Sequence, residues 1–218
     1  MKSVGKRRLL VVLTAPSGAG KTTLGERLLA KIPGLCRIIT CTTRAPRAGE
    51  KPGCDYHFMA RSEFERRLAR GDFLEHARVH GCLYGTLHKS VIDALKSGRD
   101  ALLIIDVQGA AQVRKMAAGP GADKLLRDSF VDVFIAPPGL RELRRRLVAR
   151  DTDPPDSIAR RLRNAALEMK HMPEFQYAVL NDLLENAVDD LVAIVRAEHC
   201  RNRPRNGGAA GKSKWRKT

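Results

Sequence analysis

The sequence predicts an α/β fold, a parallel sheet core flanked by helices and carrying two inserts. Three observations lead there. Short apolar runs alternate with helical stretches along most of the 218 residues, the pattern of repeated strand–helix–strand units. The first apolar run feeds a glycine-rich loop that opens a helix. Two stretches break the alternation: residues 39–89, rich in short strands, and residues 139–171, helical and dense in arginine.

Leu9–Thr14 is a short apolar run, suited to a strand buried on both faces. A helix follows from Lys21 to about Lys31, and Pro33-Gly34 stops it. Ile38–Thr40 reads as a second strand and Asp55–Met59 as another. Between them, residues 42–53 are full of Arg, Pro and Gly and show no period. Ser62-Glu63-Phe64-Glu65 has the form of a capping box, with the helix opening at Ser62. Phe73–Val79 and Leu83–Leu87 read as strands, and a helix over Lys89–Lys96 ends at Gly98. Ala101–Ile105 is a buried strand terminating in Asp106, with a helix over Gln108–Ala117 behind it. Phe130–Ile135 is a further buried strand, broken by Pro137-Pro138-Gly139. Charged helices follow over residues 140–150 and 157–172, then a core strand at Tyr177–Leu180 and a closing amphipathic helix over Asp182–Glu198. The core is thus assigned to residues 9–38, 90–138 and 172–200.

Hydrophobic residues make up 43% of the chain, enough for a packed core and unlike a disordered protein. The five cysteines, at positions 36, 41, 54, 82 and 200, form no C-x-x-C pair and no zinc spacing, so they read as reduced thiols in a cytoplasmic protein. The longest apolar runs, at Leu9–Leu13 and Ala101–Ile105, are far too short to span a membrane. Lys6-Arg7-Arg8 before an apolar run imitates a signal peptide, but the run is short and enters the glycine-rich loop directly. Net charge is +16 and unevenly spread. Residues 1–8 carry four basic groups and residues 201–218 carry seven, with no acid in either segment. These read as a basic N-terminal extension and a flexible basic tail. The tail solubilises, and any nucleic-acid affinity it has is independent of sequence.

Ala15-Pro16-Ser17-Gly18-Ala19-Gly20-Lys21-Thr22 matches a phosphate-binding loop except at its first position, where Ala15 replaces glycine; Thr23 follows on the helix. Gly18 and Gly20 let backbone N–H groups turn inward around phosphates, and the helix start adds partial positive charge. Lys21 can reach the β- and γ-phosphates of ATP, and Thr22 can ligate Mg²⁺. Ala101–Asp106 has the form of a second nucleotide-site strand, with the Asp106 carboxylate emerging at its C-terminal end, where ligands bind in open α/β sheets.

The decisive segment is Thr42-Thr43-Arg44-Ala45-Pro46-Arg47-Ala48-Gly49-Glu50, followed by Gly53-Cys54-Asp55-Tyr56-His57-Phe58. It resembles the GMP-binding signature of the guanylate kinase family at every fixed position. The resemblance continues through Phe73-Leu74-Glu75, Tyr84-Gly85-Thr86, Ile105–Gly109, Ile135–Pro138 and Asn181-Asp182, and spans about residues 9–198. Two arginines three apart, held by Pro46, can grip a phosphate bidentately, with the Tyr56 and Tyr84 hydroxyls beside them. A carboxylate at Glu75 can accept from the N1–H and 2-amino groups of guanine, donors that adenine lacks.

The resemblance implies a P-loop nucleoside monophosphate kinase fold, with residues 39–89 as the GMP-binding insert and residues 139–171 as a lid over ATP. It implies transfer of the ATP γ-phosphate to GMP with Mg²⁺. By the same resemblance Thr40 and Thr86 touch the base and Asp106 lies near guanine and metal. Arg146, Arg150 and Arg161 touch phosphates, and Asn181 lies near adenine. Two departures stand out: Ile104 sits where many relatives carry an acid, and Leu183 replaces a second acid after Asn181-Asp182. The rival readings are a binding module that has lost catalysis, opposed by the intact Lys21-Thr22, and a kinase of another phosphorylated acceptor, opposed by Tyr56, Glu75 and Tyr84. Oligomeric state is not legible.

Overall fold

The protein is described here by a computed structural model covering residues 7–79, 81–148 and 155–202. The chain runs β1 (Leu10–Thr14), α1 (Lys21–Lys31), β2 (Leu35–Arg37), β3 (Cys41–Thr42), β4 (His57–Phe58), α2 (Arg61–Ala69), β5 (Phe73–Val79), β6 (Cys82–Leu87) and α3 (His88–Lys96). It continues as β7 (Asp100–Ile105), α4 (Val107–Ala118), α5 (Lys124–Ser129), β8 (Phe130–Ala136), α6 (Leu140–Val148), α7 (Pro155–Glu168), a 3-10 turn (Met169–Glu174), β9 (Tyr177–Leu180) and α8 (Leu184–Cys200).

Five strands form a wholly parallel sheet in the order β2-β7-β1-β8-β9. The expected doubly covered sheet is therefore present. β1 is central and sends alternate side chains to opposite faces. Leu9, Val11 and Leu13 pack on one side with Leu24 and Leu28 of α1 and Val188 and Leu191 of α8. Leu10 and Val12 pack on the other with Val91 and Leu95 of α3, Val113 of α4 and Leu126 of α5. The chain leaves β1 for β2 on the β7 side, and the connection out of β7 crosses to β8 on the other side of β1, so a crevice opens at the carboxyl end of β1. Among the described residues, no helix is long and apolar enough to cross a membrane.

Residues 41–87 contain a second sheet, mixed and four-stranded, in the order β4-β3-β6-β5. It has its own small core, in which Phe64 of α2 stacks on Phe73 with centroids 4.3 Å apart. A bulge in β5 sets Phe73 opposite Leu87 and Glu75 opposite Thr86, leaving Leu74 as the extra residue. Parity is lost there, so three consecutive side chains are buried. Phe73 enters the insert core, Leu74 enters the main core beneath α3, and Glu75 faces Thr86.

Several expectations need correction. The second strand lies at Leu35–Arg37, not Ile38–Thr40; Ile38 still donates its N–H to Leu102 O at 2.9 Å, but the chain then turns away into the insert. The capping box does not form. The N-cap of α2 is Ala60 rather than Ser62, with no side-chain cap, and Glu65, the carboxylate of the expected box, accepts from Arg61 Nε at 2.8 Å instead. The helix α5 was not anticipated; Asp123 caps it by accepting from Leu125 N at 2.7 Å. β9 is an edge strand with only Val179 buried, not a core strand. At the chain ends, Arg7 and Arg201 both pair with Glu198, which is only 1% exposed; most of the basic extension and tail lies outside the described residues.

Ile104 explains a close approach in the core. It packs from β7 toward α1, and a Cβ added at Gly25 would lie 2.4 Å from its Cδ1. Gly25→Ala sets a helix-propensity gain of about 1 kcal/mol against an overpacking cost of about 1–3 kcal/mol. Net destabilisation is expected. Ile104→Val, which deletes the clashing carbon, should make the same Gly25→Ala change stabilising. Urea unfolding of the two single variants and the double variant measures the coupling, and simple additivity would show that α1 shifts freely off the sheet.

Candidate functional site

At the carboxyl end of β1 the chain turns into α1 through Ala15–Gly20. Gly18 and Gly20 have φ of +87° and +90°, left-handed values that glycine adopts without strain. Both are also crowded: an added Cβ would meet Leu147 Cδ2 at 2.8 Å from Gly18 and Asn181 Nδ2 at 2.7 Å from Gly20. Asn181 is buried and donates from Nδ2 to Ala19 O at 2.8 Å, so it supports the loop from below.

The loop encloses a cavity of about 270 Å³ lined by Ala15, Pro16, Ser17, Gly18, Gly20, Lys21, Thr22, Thr23, Asp106 and Glu168. Lys21 Nζ donates to Ile105 O at 3.1 Å, which aims the ammonium at the adjoining strand end. Desolvation pushes its pKa down, opposed by the charges of Asp106 and Glu168. Asp106 caps α4, its Oδ1 accepting from Gly109 N at 2.8 Å. Thr22 and Asp106 therefore offer oxygen ligands to one cavity, a donor set suited to Mg²⁺, which keeps much of its own water.

The insert contributes a second group of polar side chains. Glu75 is 4% exposed and accepts from Thr86 Oγ1 at 2.6 Å. Burial pushes its pKa up, countered by the Thr86 hydrogen bond. Its Oε2 comes so near α4 that a Cβ on Gly109 would lie 2.9 Å away, and Asp106 Oδ1 would lie 3.4 Å from the same point. The start of α4 thus touches both the loop cavity and Glu75 of the insert. Gln112 fixes this approach, accepting from His76 N at 3.0 Å and donating to His76 O at 2.8 Å.

Arg44 lies over the rings of Tyr56 and Phe58, 5.4 and 5.9 Å from their centroids, and Tyr56 meets Tyr84 edge-on at 6.0 Å. Arg47 is exposed on the same loop. Thr40 is half-buried, its carbonyl accepting from His57 N at 2.9 Å.

The structure thus gathers the loop residues with Asp106, and gathers Arg44, Tyr56, Tyr84, Glu75 and Thr86 on the insert. Arg146 is turned elsewhere: Nε donates to Glu142 Oε1 at 2.9 Å, and NH2 donates to Asn181 O at 3.0 Å. Arg161 is half-buried on α7 and does not line the loop cavity. Arg150 lies outside the described residues. Sequence reading missed Glu168, the last residue of α7. It reaches the cavity, where burial raises its pKa against the pull of Lys21 and a hydrogen bond from the Ser17 backbone. Its only sequence signal was its place in a charged helix, which a solvated face explains equally well.

A parallel sheet with a phosphate loop after its central strand, an acceptor insert and a helical insert over the loop define a P-loop protein of the nucleoside monophosphate kinase type. Comparison with known proteins specifies the family. The guanylate kinase family profile matches residues 6–198. A guanylate kinase of Dechloromonas aromatica is 51% identical over 188 residues, covering 86% of this chain and 88% of that protein. One from Aromatoleum aromaticum is 48% identical, covering 88% and 89%. The crystal structure of guanylate kinase from Anaplasma phagocytophilum superposes with a TM-score of 0.69 at 34% identity, covering 90% and 89%. The chain belongs to the guanylate kinase family.

The raised pKa of Glu75 has a signed consequence. The folded state holds the Glu75 proton more tightly than the unfolded chain, so ionisation costs stability. That cost is absent below the ordinary carboxylate value of about 4.3, grows through the weakly acidic range, and is constant above the raised pKa. The melting temperature of Glu75→Gln minus that of the parent should therefore rise with pH through that range and then level off. A difference independent of pH would mean that Glu75 titrates alike in both states.

Proposed function

We propose that this protein transfers the γ-phosphate of ATP to GMP, and also to dGMP, giving ADP and GDP, and that it does so in the cytoplasm. The observation that carries the acceptor assignment is Glu75: a buried, acceptor-only carboxylate anchored by Thr86 in the insert that also holds Arg44, Tyr56 and Tyr84. In this reading the insert is residues 39–89, the lid residues 139–171, and the rest of residues 9–200 the core.

Glu75 reads guanine through N1–H and the 2-amino group, with Thr40 and Thr86 touching the base and Asp106 near guanine and metal. Adenine would leave the carboxylate unpaired in a buried site, the kind of mismatch that is rejected strongly. Arg44 and Arg47 grip the acceptor phosphate with the two tyrosine hydroxyls. At the donor end, the N–H groups of residues 15–23 cradle the ATP phosphates and Lys21 neutralises charge at the β- and γ-oxygens. Thr22 and Asp106 would hold Mg²⁺, which supplies further neutralisation of the phosphate oxygens when bound. Arg146, Arg150 and Arg161 approach the phosphates as the lid closes, and Asn181 borders the adenine.

The acceptor oxygen is already anionic at neutral pH, so the step needs alignment and charge neutralisation more than a general base. Closing both inserts excludes water and so suppresses ATP hydrolysis.

A coupled assay of ADP release over a panel of nucleoside monophosphates tests the reading directly. GMP should be the preferred acceptor, and ATP consumption indifferent to the monophosphate added would overturn it. Lys21→Ala should nearly abolish turnover with an unchanged melting curve. Glu75→Gln exchanges one acceptor oxygen for a donor amide facing the base. The lost charge-assisted hydrogen bond costs about 1.5–3 kcal/mol, or roughly 10- to 150-fold in kcat/KM for GMP. The GMP-to-AMP ratio should fall accordingly, while Arg44→Ala impairs both acceptors alike. An unchanged ratio in Glu75→Gln would remove Glu75 from base recognition.

A further inference from the structure

The acceptor loop contains a carboxylate to which the reaction assigns no role. Glu50 stands six residues after Arg44, at the end of the turn through Pro46. Both of its oxygens are engaged within that turn. Oε1 accepts from Arg44 NH2 at 2.7 Å, and Oε2 accepts from Arg47 N at 2.7 Å. The turn is closed again by Glu50 N, which donates to Arg47 O at 3.1 Å. One side chain thus ties together the two arginines proposed to hold the acceptor phosphate, through the guanidinium of one and the backbone of the other.

The remaining contacts of Arg44 fix its plane. NH1 donates to Ala45 O at 2.7 Å, Tyr84 adds a further hydrogen bond, and the rings of Tyr56 and Phe58 lie beneath the cation. A guanidinium has five N–H groups. Glu50 and Ala45 take one from each terminal nitrogen, which leaves three to be shared between Tyr84 and an oxyanion. The Arg44 side chain is only 15% exposed, and Glu50 19%. An arginine free in solution must lose many rotamers to grip a phosphate, whereas one held in advance loses few.

We propose that Glu50 is a positioning residue for the acceptor phosphate. It pre-aims the Arg44 fork and fixes the Arg47 backbone so that the monophosphate meets a clamp already formed. Glu50 itself does not touch the substrate. The proposal rests on the reading of Arg44 and Arg47 as phosphate ligands, and its consequence is that Glu50 acts on the phosphate and not on the base.

The experiment uses the full chain with Glu50→Gln, Glu50→Asp, Arg44→Ala and the double variant Arg44→Ala/Glu50→Gln. Steady-state kinetics are measured with GMP and with AMP as varied acceptor, and with ATP varied at saturating GMP. Melting curves are recorded in parallel. Glu50→Gln should raise KM for GMP about tenfold or more through loss of a charge-assisted bond, with a smaller change in kcat. KM for ATP and the melting temperature should stay close to the parent values, and the GMP-to-AMP ratio should be unchanged. Glu50→Asp should recover part of the loss, because charge is kept and only reach is shortened. In the Arg44→Ala background, Glu50→Gln should cost less than it does alone, since one of the two groups it positions is gone.

Three results would overturn the proposal: an unchanged KM for GMP in Glu50→Gln, full additivity with Arg44→Ala, or an equal loss in KM for ATP with a lowered melting temperature. Failure of the parent to phosphorylate GMP would instead strike the functional reading beneath it.

Discussion

The turn from β1 into α1 is the constraint on which the donor half depends. Within six residues the chain passes from the central strand of a parallel sheet to a helix while directing its N–H groups to one side. That requires left-handed backbone at Gly18 and Gly20. The same two glycines leave room that the structure fills from outside: Leu147 of α6 closes on one, and Asn181, at the end of β9, closes on the other. The phosphate loop is therefore shaped from two elements distant in sequence. Leu143 and Leu147 also join the main core, so the position of the lid helix and the form of the loop are linked by packing.

The acceptor half depends on the start of α4. Asp106 ends β7, caps α4 and lines the loop cavity, while the absence of a Cβ at Gly109 admits Glu75 beside it. Further round the helix, Gln112 substitutes for a missing strand by pairing with both polar groups of the His76 backbone. The insert could otherwise sit anywhere its own small core allowed. These contacts join the start of α4 to both the loop cavity and the insert, and proximity of donor and acceptor is the larger part of phosphoryl-transfer catalysis.

Much of this was legible in the sequence because the signals were local. The limits of α1, β5 and β9 follow from apolar runs and turn residues, and the loop and acceptor signature are contiguous. What escaped notice depends on tertiary packing. The bulge in β5 is invisible in Phe73-Leu74-Glu75, since three buried residues in a row read equally well as a strand covered on both sides. The capping box at Ser62 was sound local chemistry, but Glu65 pairs with Arg61 on its own helix and the helix began earlier. Glu168 looks like one charge among many on α7, and only the fold carries that helix end into the cavity. Gln112 has no signal at all, because its partner is backbone 36 residues away.

The two arginine sets differ in how they are held, and the difference bears on the order of events. Arg44 is bound by a carboxylate, a carbonyl and two aromatic faces in a largely covered site. Arg146 is held by Glu142 on its own helix and by the Asn181 carbonyl. The Glu142 carboxyl is pulled down to about 2, first by Arg145 and then by Arg146, so it stays ionised across the physiological range. Losing Arg146 leaves it still paired with Arg145. Ion pairs in contact with water are weak and exchange easily. On the proposed assignment, Arg146 can therefore leave its partners for a phosphate at little cost, whereas Arg44 stays in place throughout. On that assignment the acceptor clamp is formed before substrate arrives and the donor lid is assembled by the substrate. That division suits a kinase that must recognise its acceptor closely yet keep ATP from water until the acceptor is bound.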